Sequence, residues 1–391
     1  MDYCEYFDPV HVEDLDFFYT KNIERIGHII SVYGEEGHFP SLDNVKAVLI
    51  GVGEDRKVFR NVGCGFAPDQ IRKYFYRLFP HKHIVSMADC GNLKLGYTPE
   101  DTYAALADVC ASFISRQIIP IVLGGSQDIT FGMYHAYAKL GQIMNLFTVD
   151  KEFDIGEDET TLNSQSFLGS IIRSEPNYLL NYTNVGYQTY LVDHEAVELM
   201  NNMSFDVCRL GVIQSDIAEV EPLVRNADLV SIDLSAVRQS DAPGNAQPSP
   251  HGFYGEELCS IARHAGLSDK LSSIGFFEVN PDFDQNGQTS HLVAQAIWYF
   301  IEGVINRKND LPYKDSRNYR KFHVTITNSE HCLTFYKSKI SDRWWIEVPC
   351  SKEMQERYQR HYLVPCSYKD YEAALAGEIP QRWLRACNKM N

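Results

Sequence analysis

Three short segments of this 391-residue chain carry carboxylates at a spacing that could do chemistry. They are Gly124-Gly125-Ser126-Gln127-Asp128-Ile129-Thr130, Thr148-Val149-Asp150-Lys151-Glu152-Phe153-Asp154 and Ser231-Ile232-Asp233-Leu234-Ser235. Side chains alternate along an extended segment, so Asp150, Glu152 and Asp154 share one face and Lys151 points to the other; Asp233 and Ser235 likewise share a face. Carboxylates that converge repel one another and resist burial, so a hard cation, protonation or a nearby Lys or Arg must neutralise them. Acids at strand ends are also common as plainly solvated loop residues. Spacing alone balances the two readings.

The elements that would position these segments follow from the apolar pattern. Runs rich in Val, Ile and Leu at Val48–Val52, His83–Met87, Ile118–Leu123, Met144–Val149, Tyr178–Gly186, Asp206–Leu210, Leu229–Leu234 and Leu271–Val279 read as buried strands. Helical spacing fills most of the gaps. Ala67-Pro68-Asp69-Gln70-Ile71-Arg72 opens one helix, and Thr98-Pro99-Glu100-Asp101 opens another with a capping hydroxyl, a first-turn proline and acids behind it. A long helix is expected from about Gln288 to Asn306. Strands alternating with helices predict an α/β fold: a three-layer α/β/α sandwich around a mainly parallel sheet of about eight strands. In such a sheet, sites form where the C-terminal ends of the strands open into loops.

The pattern divides the chain into residues 1–44, a helical N-terminal extension, residues 45–306, the α/β domain, and residues 307–391, a small α+β C-terminal module or lid. Within that module, Phe322–Thr327, Cys332–Lys337 and Trp344–Val348 alternate like antiparallel strands, with turns at Asn328-Ser329 and Ser341-Asp342. Short helices are expected around Lys352–His361, Lys369–Ala376 and Pro380–Lys389. The Trp344-Trp345 pair reads as core packing.

The formal net charge of −16 weighs against a non-specific grip on nucleic acid or an anionic membrane. No apolar run is long enough to span a bilayer. The acidic start Met1-Asp2-Tyr3-Cys4-Glu5 lacks the layout of a signal peptide. Ten cysteines are scattered without a CxxC pair, as expected of free thiols in a reducing compartment. Together these features predict a cytoplasmic protein.

Ordered motifs along the chain resemble the arginase/agmatinase/formimidoylglutamase (ureohydrolase) family. The family's Gly-Gly-Asp-His-Ser signature is similar to Gly124–Thr130, its Asp-Ala-His-x-Asp to Asp150–Asp154, and its Ser-x-Asp-x-Asp stretch leading to Pro-Gly to Ser231–Gly252, with Asp233, Pro243, Gly244 and Gly252 in step. Gly275-Phe276-Phe277-Glu278-Val279-Asn280-Pro281 resembles the late strand whose Glu helps hold the substrate amidine. Asp89-Cys90-Gly91-Asn92 and Ala67-Pro68-x-x-Ile71-Arg72 match weaker signatures, and Gly53-Glu54-Asp55-Arg56-Lys57-x-x-Arg60-Asn61 points to the formimidoylglutamase branch. The resemblance runs from about Val45 to Asn306.

It implies an arginase-like fold and, for the family, two Mn²⁺ ions held by two His and four Asp, with a bridging hydroxide that attacks the amidine carbon. The corresponding positions here are Gln127 for the first His, Glu152 for the second, Ser235 for the last Asp, and Asp150, Asp154 and Asp233 retained. None of the thirteen His lies in the three segments Gly124–Thr130, Thr148–Asp154 and Ser231–Ser235, and Glu278 stands as the candidate substrate-binding carboxylate. Imidazole favours Mn²⁺, whereas an all-oxygen set suits a harder cation. The expectation is therefore no cofactor, or a single divalent cation (Mg²⁺, Ca²⁺ or Mn²⁺), in place of the Mn²⁺ pair. The implied protein is a ureohydrolase relative that has lost dimetal amidine hydrolysis and acts as a binding or scaffold protein, its partner a small molecule or a protein, with a homo-oligomer suggested by the resemblance. The alternative is an active hydrolase of a linear amidine with an altered metal site. Ser126 and Asp128 exchange the family's acid and hydroxyl within the first loop, and the sequence offers no reason for it.

Overall fold

A computed structural model describes residues 1–11, 24–34, 38–82, 85–156, 161–314, 316–326 and 332–390. The first strands and helices are β1 (Phe7–Asp8), α1 (Ile26–Ile29), β2 (Ser31–Val32), β3 (Ala47–Val52), α2 (Ala67–Phe75), β4 (Met87–Leu93), α3 (Pro99–Ser115), β5 (Ile119–Gly124) and α4 (Ile129–Lys139). There follow β6 (Met144–Val149), α5 (Phe167–Ile172), β7 (Leu179–Tyr187), α6 (His194–Asn202), β8 (Asp206–Arg209), α7 (Leu210–Ser215) and α8 (Val220–Arg225). The main sheet closes with β9 (Leu229–Asp233), α9 (Gly255–Leu267), β10 (Ser273–Phe277) and α10 (Gln288–Ile305).

The sheet runs β1-β4-β3-β5-β10-β9-β6-β7-β8, with β2 also on β4. Every pairing from β3 to β10 is parallel, and only β1 is antiparallel. Strands β3, β5, β6, β9 and β10 are buried along their whole length, because helices cover both faces. The expected eight-stranded α/β core is present. Residues 1–44 were expected to be helical; where they are described, they contribute the short helix α1 and the short strands β1 and β2, both paired with β4. Residues 12–23 and 35–37 of that extension lie outside the described residues.

Local sequence explains several boundaries. Thr98 caps α3: its hydroxyl accepts from Asp101 N at 3.2 Å, and Asp101 Oδ2 accepts from Thr98 N at 2.8 Å. Strand β4 begins only at Met87, later than the expected strand at 83–87, of which His83 and Ile84 are outside the described residues. Asp89 interrupts its apolar pattern, yet the residue is fully buried. Arg72 of α2 donates to both Asp89 oxygens, at 2.8 and 3.0 Å, and Tyr76 donates to Oδ2 at 2.7 Å. Hydropathy gives no credit for a partner that arrives from another element. Gly51 on β3 makes room for this cluster, since a Cβ there would lie 1.8 Å from Asn92 Oδ1 and 2.9 Å from Arg72 Nη1.

The C-terminal residues form a second sheet of β11 (Tyr319–Thr325), β12 (Cys332–Ser338), β13 (Trp344–Glu347) and β14 (Leu363–Cys366), all antiparallel, with helices α11 (Lys352–Arg357), α12 (Tyr368–Leu375) and α13 (Gln381–Met390). Strand β14 escaped the sequence reading because Pro365 sits in it; a proline with no N–H to donate is tolerated at this sheet edge. The turn expected at Asn328-Ser329 falls outside the described residues. Trp344 and Trp345 are buried, as expected of core packing. The module docks at the N-terminal ends of the main strands. His361 bonds Ile143 O at 3.1 Å and Lys270 Nζ at 3.1 Å, and Arg360 bonds Asp228 at 2.6 Å. It therefore sits at the end of the sheet opposite the strand C-termini and is no lid over them. All ten cysteines are free thiols.

These buried groups set the stability and its pH dependence. Arg72→Met leaves the Asp89 carboxylate buried without a cation and should cost about 3–5 kcal/mol in urea unfolding, with Asp89→Asn on top recovering some of the loss. His361 is held neutral by burial, and next by the Lys270 charge, which bring its pKa down to about 3. The unfolded chain takes up that proton near pH 6.5, so stability should fall by up to about 1.4 kcal/mol per pH unit as pH drops below 6.5. His361→Gln should flatten that slope.

Candidate functional site

The C-terminal ends of β5, β6, β9 and β10 deliver Gln127, Asp150, Asp233 and Glu278 to one cleft of about 410 Å³, where Glu152, Asp154 and Ser235 join them. All seven residues singled out in the sequence therefore line a single cleft. The route differs from simple alternation. Strand β6 stops at Val149 and the chain bends at Lys151-Glu152, with Asp154 at φ = 51°. The bend brings Lys151 to the cleft as well, its ammonium donating to Gln247 O at 3.2 Å. Alternation had pointed it away.

Backbone amides hold the acids in place. Asp150 Oδ1 accepts from Glu152 N at 3.0 Å, and Asp233 Oδ1 accepts from Ser235 N at 2.6 Å. Glu278, at φ = 63°, ties three loops together. Its Oε1 accepts from Gln127 N at 2.9 Å, its Oε2 from Asn61 Nδ2 at 2.8 Å, and its carbonyl from Asn245 Nδ2 at 2.9 Å. Asn61 Oδ1 in turn accepts from Ala246 N at 2.9 Å and from Asn280 Nδ2 at 3.1 Å. Gly125 lets these loops meet, since a Cβ there would fall 2.2 Å from Glu54 O.

The electrostatics are those of crowded acids. Burial, and then the Asp233 charge, push Asp150 up to about 8. Burial, and then Asp150, raise Asp154 well above the carboxylate range, and the two carboxyl groups are hydrogen-bonded to each other. Burial, and then Asp233, raise Glu278 in the same way. Burial raises Glu152 and Asp233, with Lys151 opposing the shift in both. Two polar atoms facing this region, Gln127 Oε1 and Ser235 Oγ, are buried without a hydrogen-bond partner. No histidine lines the cleft. Among the described residues, no three His, Cys, Asp or Glu side chains are already arranged around a common metal position.

Other candidates from the sequence are placed elsewhere. Asp128 faces away from the cleft and bonds Tyr103 OH, while Ser126 Oγ donates to Glu54 O at 3.2 Å. The exchanged acid and hydroxyl thus serve packing against neighbouring elements. Glu54 pairs with Arg56 and Lys57 with Glu100, so of that early motif only Asn61 reaches the cleft, beside Phe59. His135 packs between Phe131 and Tyr134, and His251 is exposed, which leaves Ser235 without an imidazole base. Sequence reasoning gave no role to Phe59, Ser164, Gln165, Asn245 or Gln247. Asn245 and Gln247 lie inside the third motif stretch, whereas Ser164 and Gln165 carried no signal at all.

The profile of the arginase family matches residues 45–302. The chain belongs to that family. Among arginase-family relatives, it is 26% identical over 281 residues to the formimidoylglutamase of Staphylococcus haemolyticus, covering 67% of this chain and 90% of that protein. The formimidoylglutamase of Staphylococcus aureus strain JH9 is 25% identical over 265 residues, covering 65% and 85%. Formiminoglutamase of Trypanosoma cruzi, solved with Mn²⁺₂, superposes with a TM-score of 0.65 at 16% identity, covering 73% of this chain and 100% of that one. Formimidoylglutamase of Bacillus subtilis gives 0.65 at 18%, covering 74% and 95%. The agmatine ureohydrolase of Thermoplasma volcanium gives 0.60 at 20%, covering 77% and 99%. The chain is a formimidoylglutamase-like member with the arginase fold.

Asp154→Asn tests the crowding directly. Asn tolerates the left-handed backbone of this position and can still donate to Asp150, without the proton that a carboxyl raised as far as Asp154 must take up on folding at neutral pH. Cation-free protein should melt at a higher temperature after the change, by about 2–4 °C for each kcal/mol of relieved repulsion.

Proposed function

We propose that this arginase-family chain is a binding protein whose cleft takes a single positively charged group, either one hard divalent cation or the cationic amidine end of a small ligand, and that it does not carry out two-manganese hydrolysis. One observation carries the reading: Gln127 Oε1 is buried without a partner beside a set of carboxylates whose only cationic neighbour lining the cleft, among the described residues, is Lys151. An unmet acceptor beside crowded acids calls for positive charge, whereas the neighbouring Ser235 hydroxyl can donate to those acids as well as accept.

The residues do not fit a Mn²⁺ pair. The family's two imidazole positions hold Gln127 and Glu152, and one of its carboxylates is the hydroxyl of Ser235. The oxygens of Gln127, Asp150, Asp154 and Asp233 form a set suited to Mg²⁺ or Ca²⁺. Glu278, bonded to Gln127 N and Asn61, would face the bound group and hold its loops in place.

A second reading, a working hydrolase of a linear amidine, is favoured by the near full-length match to proteins named formimidoylglutamase. Calorimetric titration of metal-free protein and an amidine-hydrolysis assay separate the two. We expect at most one Mg²⁺, Ca²⁺ or Mn²⁺ per chain, and no turnover of formimidoylglutamate, agmatine or arginine above background in excess Mn²⁺. Two Mn²⁺ per chain together with turnover would overturn the binding reading. Combining Gln127→His, Glu152→His and Ser235→Asp should raise Mn²⁺ affinity by about 10-fold or more.

A further inference from the structure

A second polar cleft, of about 360 Å³, lies where the C-terminal sheet meets the N-terminal ends of the main strands; Arg225, Lys270, Tyr313, Arg343, Trp345 and Arg360 line it. Most hydrogen-bonding capacity around it is used. Arg225, only 4% exposed, donates through Nε to Glu221 at 2.8 Å and through Nη2 to the carbonyls of Trp344 and Cys366 at 3.1 and 3.3 Å. Its guanidinium carbon stands 4.4 Å from the Trp345 ring centre. Arg360 Nη2 donates to Asp228 at 2.6 Å and to Lys270 O at 3.2 Å. Lys270 Nζ is spent on Asn226 O at 2.7 Å, on His361 and on Asp228.

Asp269 and Asp310 also line the cleft, and the acids in and around it are engaged as well. Glu221 takes Arg225 and Arg343, and Asp228 takes Arg360, Lys270 and the amide of Asn145. Asp269 accepts from the amides of Asn309 and Asp310 at 3.0 and 2.8 Å, and Asp310 accepts from Tyr319 and Ser341. Three buried groups are left over: Arg225 Nη1, Arg360 Nε and Tyr313 OH, none of which has a partner. All three can donate, and two belong to cations. A buried charged donor left unmet is costly. A guanidinium edge is best met by an oxyanion, which has several lone pairs to offer several donors at once.

We propose that this cleft binds a small oxyanion, a phosphate or carboxylate group, and that the bound anion ties Arg225 of the main domain to Tyr313 and Arg360 of the C-terminal portion. The site is at the opposite end of the sheet from the acidic cleft, so ligands of opposite charge would occupy the two ends. Its readout is independent of any hydrolytic activity.

The test uses the full chain, freed of phosphate, followed by thermal melting and tryptophan fluorescence. Sodium phosphate and sodium acetate are titrated against sodium chloride at equal ionic strength. A melting temperature that rises saturably with phosphate, with acetate or with both, accompanied by an emission change, is expected; the anion that acts identifies the oxyanion class. Tyr313→Phe removes one unpartnered hydroxyl, and Arg360→Lys keeps a cation beside Asp228. Both variants should fold, and each should weaken the apparent anion affinity by about 10-fold. A response no greater than that to chloride, or one unchanged in both variants, would overturn the proposal.

Discussion

Placing several carboxylates where they cannot all be solvated is the constraint on which the rest of the molecule turns. Asp150, Asp154, Asp233 and Glu278 meet at one end of a parallel sheet, and each is pushed toward its protonated form chiefly by burial. Backbone amides, the hydrogen bond between Asp150 and Asp154 and the Lys151 ammonium at the rim offset part of that charge. Glu278 is the clearest case. Its carboxylate accepts from Gln127 and Asn61 and thereby fixes the loops that follow β5 and β3. The acid is at once a wall of the cleft and a structural tie.

The parallel sheet makes this concentration unavoidable. Every strand from β3 to β10 points the same way, so all of their following loops open at one end and all of their preceding loops at the other. The first end collects the acids. The second is covered by the C-terminal module through a seam of charged pairs, including Arg343 with Glu221, Arg360 with Asp228, Arg382 with Glu219 and Arg385 with Asp206. The C-terminal module therefore leaves the acidic cleft open, and its influence on that cleft can travel only through the strands.

On the reading proposed above, Gln127, Glu152 and Ser235 would change the kind of ion the cleft attracts more than its charge. Glu152 would supply the negative charge that Ser235 lacks, with oxygen donors in place of two imidazoles. The Gln127 oxygen and the Ser235 hydroxyl are buried here without a partner, the first an acceptor and the second able to accept or to donate. Lys151, at the rim, tempers Glu152 and Asp233 without reaching Asp150 or Asp154 strongly enough to lower them.

Much of this was legible in the sequence. The buried apolar runs at Val48–Val52, Met144–Val149 and Leu229–Leu234 define parallel strands because a strand covered on both faces must be apolar throughout, and the acids just beyond them must then fall at strand ends. The Thr98-Pro99 helix start was equally plain, because capping is a matter of neighbouring residues. Contacts that depend on distant partners could not be read. Asp89 sits inside a strand only because Arg72 reaches it, and Lys151 lines the cleft because the chain bends where alternation would have carried on. Pro365 stands in a strand because that strand is an edge, and Asn61 matters through a carboxylate 217 residues away. Sequence determined which residues are apolar, which are charged and in what order they come. Tertiary structure alone decided which charges meet, because the energy of a buried polar group is set by the partner that folding brings to it.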